Sequence, residues 1–169
     1  MKTSAHPLEQ ADVFHLRAAS GWIGLGDLDS ARAELSQISP WQRLHPEVLL
    51  VHGEFFFADE DWEALVELSV VLLEKFPKQE PLWIQRSYAL HELQRTQEAF
   101  DQLLPATRKF RKSWLVRYNL ACYCARLGNP AEALRLLCTA MELANVAQIK
   151  AMALDDPDFA ELREKIREL

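Results

Sequence analysis

Residues 114–141, WLVRYNLACYCARLGNPAEALRLLCTAM, decide the fold. Leu115, Tyr118, Cys122 and Ala125 recur in steps of three and four, the spacing of one face of an α-helix. Gly128 ends that helix. Asn129-Pro130 restarts the chain as N-cap and first helical residue, because a proline there gives up an N–H that would have no partner. Ala133, Leu134, Leu137, Ala140 and Met141 then carry a second apolar stripe. Two helices joined by a tight turn are predicted.

The same pattern recurs at a spacing of 34 residues through most of the chain. Leu25, Leu93 and Leu127 share one column, Gly26 and Gly128 the next, then Ala31, Ala99 and Ala133, then Leu35, Leu103 and Leu137. In register, the units are 12–45, 46–79, 80–113 and 114–147, with 148–169 left over and no gap required. A fixed period of this length marks a helical array in which each unit buries its apolar face only by stacking on neighbours. Small residues on the first helix (Ala19, Gly53, Ser87, Ala121) face small residues on the second (Ala31, Ala99, Ala133), allowing close approach. Leu65 takes that column in the second unit, opposite Gly53. Pro105 falls inside a predicted helix and removes the bond to the carbonyl of Asp101, so early loss of helix is expected there.

The totals agree with one soluble, all-α domain spanning 1–169. Hydrophobic residues make up 49% and charged residues 26%, and a net charge of −6 argues against general affinity for nucleic acid or anionic membrane. No apolar run approaches the ~18 residues of a membrane span, and no apolar stretch follows Lys2, so a cytoplasmic protein is expected. Cys122, Cys124 and Cys138 form no CxxC, and the first two diverge on a helix; buried, inert thiols are expected.

The turn Leu127-Gly128-Asn129-Pro130, with Tyr118-Asn119-Leu120-Ala121 before it and Ala133-Leu134 and Ala140 after it, resembles the tetratricopeptide repeat. Trp83, Ala99 and Ala106 carry the likeness in the third unit. Gly53, Asp61-Trp62 and Pro77 carry it in the second, and Trp22, Gly26-Asp27 and Ala31 in the first. In the second unit Glu60 replaces the turn glycine. The resemblance covers 136 of 169 residues and implies an α-solenoid, a right-handed superhelix of four helix-turn-helix units. Residues 148–169 follow as a terminal cap, with Asp156-Pro157 opening its last helix.

The resemblance also implies a concave groove lined by first helices. Carried over, its columns hold Val13, Leu16, Ser20 and Ile23, then Glu47, Leu50, Glu54 and Phe57. Next come Ile84, Tyr88 and His91, then Leu115, Tyr118, Cys122 and Arg126. An apolar and aromatic balance suits an extended peptide or amphipathic helix of another protein. Residues 1–11 or a second copy of the chain are the alternative occupants. Some members of the family grip a C-terminal carboxylate with basic groove residues. Here those columns hold Leu16, Ser20, Val51, Pro81 and Gln85, so that mode is not expected.

Other candidate chemistry is sparse. His45 and His52 with Glu47 and Glu54 lack a metal-binding motif such as HExxH, and a packed, hydrogen-bonded His52 is the simpler reading. Gly21-Trp22-Ile23-Gly24-Leu25-Gly26 lies within a helix and forms no phosphate cradle; two interior glycines cost that helix roughly 1 kcal/mol each. Arg108-Lys109-Phe110-Arg111-Lys112 sits at a helix C-terminus, where cations complement the dipole. The expected function is a non-catalytic, cofactor-free interaction module, an adaptor or co-chaperone. The alternatives are a bacterial secretion-type chaperone for an aggregation-prone client and a regulatory subunit of an enzyme.

Overall fold

The computed structural model describes residues 7–169, which form α-helices and two 3-10 turns, with no strand among the described residues. The chain packs as two compact units, Met1–Pro77 and Lys78–Leu169. The first holds α1 (Gln10–Leu25), α2 (Leu28–Ser36), α3 (Pro46–Ala58) and α4 (Trp62–Lys75). The second holds α5 (Glu80–Glu92), α6 (Thr96–Leu103), α7 (Ala106–Lys109), α8 (Trp114–Arg126), α9 (Pro130–Leu143), α10 (Val146–Asp155) and α11 (Arg163–Glu168).

The helix boundaries keep time with the sequence. The helices α2, α4, α6 and α9 begin at Leu28, Trp62, Thr96 and Pro130, each 34 residues after the last. The helices α3, α5 and α8 begin at Pro46, Glu80 and Trp114 with the same interval. Each pair is joined through one left-handed residue: Gly26 (φ 77°), Glu60 (55°), Gln94 (60°) and Gly128 (74°). Glycine reaches this region freely, whereas Glu60 and Gln94 carry a Cβ there and are strained. Side-chain caps start the following helices. Asp27, Asp61 and Asn129 accept from the backbone N–H groups of Ser30, Ala64 and Glu132 at 3.0, 3.1 and 3.3 Å.

Within Met1–Pro77 the core is Leu16, Ala19, Ala31, Leu35, Ile38, Val48, Val51 and Phe55. A Cβ on Gly53 would lie 3.2 Å from Leu72 Cδ1, so Leu72 fills the space that the glycine leaves. The sequence places Leu65 opposite Gly53; Leu65 is buried, but Leu72 makes the close approach. Within Lys78–Leu169, Leu90, Leu103, Leu120, Tyr123, Leu137, Ile149, Phe159 and Ile166 are fully buried. Buried Tyr123 satisfies its hydroxyl by bonding to Ser87 Oγ at 3.1 Å.

Pro105 splits what the period would make one helix. The first piece, α6, stops at Leu103, and α7 resumes at Ala106, as the missing N–H requires. The irregular stretch after it is held by Arg117 on α8, whose guanidinium donates to the carbonyls of Ser113 (2.7 Å), Phe110 (3.0 Å) and Thr107 (3.4 Å).

Candidate functional site

The groove columns fall in both units and meet different fates. In Met1–Pro77, Leu16 is part of the core and Ile23 packs against it. Val13, Ser20 and Leu50 are half-buried, while Glu54 and Phe57 are exposed. Phe57 stands edge-on to Trp62 with ring centroids 5.7 Å apart. These helices therefore present a partly apolar wall bearing the Glu47 and Glu54 carboxylates. Of the segment 1–11, residues 1–6 lie outside the described residues. Leu8 is half-buried and rests against the core cluster.

In Lys78–Leu169 the wall is closed by the chain's own 3-10 turn Pro157–Leu162 and the Asp156 that caps it. Tyr118 on α8 donates its hydroxyl to Asp156 Oδ2 at 2.8 Å, and Cys122 Sγ approaches the same oxygen at 3.6 Å. His91 on α5 lies 3.1 Å from Asp158 Oδ2, with its other ring nitrogen 3.0 Å from Thr96 Oγ1. Arg126 reaches Asp158 Oδ1 at 3.6 Å. Phe159 is fully buried and meets the Tyr118 ring edge-on at 5.7 Å. Ile84, Leu115 and Tyr88 remain outside this lock, half-buried or at the edge of exposure.

The lock has its own electrostatics. Burial, and then the Asp156 carboxylate, push the Cys122 thiol well above its ordinary range. Burial, with Cys122 and Asp156 adding to it, pushes the Tyr118 hydroxyl up in the same direction. Both groups stay protonated and serve as donors to carboxylates. Cys122, Asp156 and Asp158 bring three ligand-type atoms within 4.8 Å of one another. Asp156 already accepts from Tyr118, and Asp158 lies beside His91 and Arg126, so both carboxylates have partners within the protein.

The remaining candidates find structural work. The His45 ring accepts from the Glu47 N–H at 3.3 Å and caps α3. The half-buried His52 ring lies beside Phe56 at 5.9 Å, and burial, with Arg43 nearby, lowers its pKa. His15 pairs with Glu34 at 2.7 Å, and His6 lies outside the described residues. In the basic cluster, Lys109 stands 4.1 Å above the Trp83 ring. Cys122, Cys124 and Cys138 are all free thiols, and burial raises Cys124 to about 11.

Two features were missed by the sequence reading. One is the self-occupied wall. Its signal was present in Asp156-Pro157-Asp158-Phe159, where an aromatic residue stands among carboxylates, but period alone assigns that stretch to an end cap. The other is the outward face of α1, on which Phe14 and Leu25 are 68% and 76% exposed.

No protein-family model matches the sequence, and no curated protein matches it. Solved structures do. A MamA point mutant superposes with a TM-score of 0.54 at 17% identity, over 79% of this chain and 97% of that one. MamA MSR-1 gives 0.53 at 18% identity, over 80% and 97%, and MamA AMB-1 gives 0.51 at 17%, over 80% and 100%. At such identities the likeness is one of fold: the chain is all-helical and similar to a tetratricopeptide-like solenoid.

Proposed function

We propose that the chain is a tetratricopeptide-type repeat domain, with units 12–45, 46–79, 80–113 and 114–147 and a closing segment 148–169. It acts without catalysis as a protein-binding adaptor. The 34-residue interval of helix starts and the left-handed residue in each turn support the repeat assignment. Solenoids of this kind work through the surfaces their first helices expose. The likeness in fold to MamA supports the solenoid architecture on which this role rests. No described helix is long and apolar enough to cross a membrane, and the cytoplasmic setting remains part of this proposal.

The observation that carries the reading is the partly apolar wall of Met1–Pro77, where half-buried Val13, Ser20, Ile23 and Leu50 accompany exposed Glu54 and Phe57. Its chemistry fits a short helix or extended segment with apolar anchors and one basic residue placed opposite Glu54. The corresponding wall of Lys78–Leu169 already holds the chain's own acidic-aromatic turn.

Two substitutions in the full-length protein test this. Ser20→Glu fills the wall, and Phe57→Ser removes an anchor. Proteins captured by immobilised wild type are quantified against the double variant by mass spectrometry. At least tenfold loss of specific partners, with far-UV circular dichroism and melting temperature unchanged, supports the adaptor reading. An unchanged capture profile overturns it. If co-expression instead shows insoluble clients becoming soluble, the secretion-chaperone reading takes its place.

A further inference from the structure

The segment before α8 carries a charge pattern that neither the fold nor the groove columns use. Residues 102–131 contain six cations and no Asp or Glu. With −6 in total and +6 in this stretch, the remainder of the chain carries −12. Four of the six cations fall within five residues: Arg108, Lys109, Arg111 and Lys112. A helix dipole does not account for them all, because α7 is only four residues long and Arg111 and Lys112 lie beyond its end. Arg108, Arg111 and Lys112 are exposed, and their side chains make no hydrogen bond or ion pair among the described residues.

The four cations line a cleft of about 660 Å³. Phe110, Trp114 and Leu115, each half-buried, give the same cleft apolar surface. The one acid in its lining, Glu80, accepts a hydrogen bond from Ser113 Oγ at 2.7 Å. Four cations against one carboxylate leave a formal excess of three positive charges. Arg117 holds the loop through its bonds to the carbonyls of Thr107, Phe110 and Ser113, so the cleft is formed before any ligand arrives.

We propose that this cleft is a docking site for a short acidic segment of another protein, one with an aromatic or leucine side chain among its carboxylates. The arginines and lysines pair with the carboxylates, and Phe110, Trp114 and Leu115 receive the apolar side chain. The same helix already accepts such chemistry one turn further on, where Tyr118 meets the chain's own Asp156 and Phe159. Charge and extent select a peptide over a nucleic acid. A long polyanion would run from a patch of five residues onto a protein that is otherwise at −12, whereas a short acidic segment ends where the patch does. Lys109 lies over the Trp83 ring at 4.1 Å, so that face is closed to a stacking base. The site is separate from the wall of Met1–Pro77 and stands without it.

Selection of a phage-displayed library of random dodecapeptides on the full-length protein at low salt tests this. Sequences rich in Asp and Glu around an aromatic residue or leucine are expected to be enriched. The most enriched peptide, synthesised with a fluorophore, should bind in solution and weaken severalfold as salt rises from about 0.05 to 0.3 M. Arg111→Glu and Lys112→Glu together should weaken it at least tenfold with the melting curve in place, since both residues are exposed. Ser20→Glu with Phe57→Ser should leave it bound, which keeps this proposal distinguishable from the adaptor wall. A library without acidic enrichment overturns the proposal, as does an acidic peptide that the two charge reversals leave bound. A single-stranded oligodeoxynucleotide that binds more tightly than the peptide, and is lost with the same reversals, gives the cleft to nucleic acid instead. Salt-sensitive dimerisation lost in that variant gives it to a second copy.

Discussion

Met1–Pro77 and Lys78–Leu169 use the same helix-turn-helix grammar and end with opposite surfaces. In the first, Val13, Ser20 and Leu50 on α1 and α3 stay half-buried, and Glu54 and Phe57 exposed. In the second, the wall of α5 and α8 is filled by Asp156–Leu162, with two carboxylates gripped by Tyr118, Cys122, His91 and Arg126 and with Phe159 buried beneath. A column in a repeat thus has no fixed role. Tyr118 and Leu50 hold the same column of the repeat, yet Tyr118 is buried and bonded to Asp156 while Leu50 is half-buried.

The largest effect should come from emptying the occupied wall. Phe159→Ala removes a fully buried ring and should cost about 3–5 kcal/mol, read by chemical denaturation. Phe14→Ala, at an exposed site of the other unit, should change stability by no more than about 0.5 kcal/mol. Equal losses at the two positions would erase the contrast. Next in size is Tyr118→Phe, which removes a hydrogen bond to an ionised carboxylate and should cost about 1.5–3 kcal/mol. A neutral result would mean that Phe159 and the contacts from Cys122, His91 and Arg126 hold the turn without it.

The turns sharpen the comparison differently, since each unit has one strained position. Glu60→Gly and Gln94→Gly should each stabilise by about 0.5–1 kcal/mol, because relief of the left-handed conformation outweighs the added freedom of the unfolded chain. Ala at either site should bring no such gain. The smallest effect is chemical. Cys122 and Cys124 should react slowly with a disulfide reagent at pH 8, and Cys124 should quicken with pH until about 11, where burial has placed its pKa. Rapid labelling of all three thiols at pH 8 would show that the second unit opens readily.

The helical pairs were legible because their signals are local. Gly128-Asn129-Pro130 specifies a stop, a cap and a restart within three residues, and Gly26-Asp27 does nearly the same. The break at Pro105 was legible for the same reason. The filling of the second wall was not, since it depends on residues 67 positions apart, His91 and Asp158, and no local pattern encodes that distance. Leu16 shows a related limit: a column taken from a repeat family names a direction, whereas burial depends on what stacks there. Phe14 and Leu25 stand in the sequence as apolar residues of α1, but helical spacing alone does not distinguish a face turned inward from one turned outward.

Arg117 ties the segment before α8 to that helix. Its side chain comes from α8, yet it fastens the carbonyls of Thr107, Phe110 and Ser113, which precede that helix. The four residues of α7 are too few to hold themselves helical in water. Their order is therefore expected to depend on α8 and on the bonds that its Arg117 guanidinium makes to them. Pulse-labelled amide exchange during refolding should find Phe110 protected later than the centre of α8.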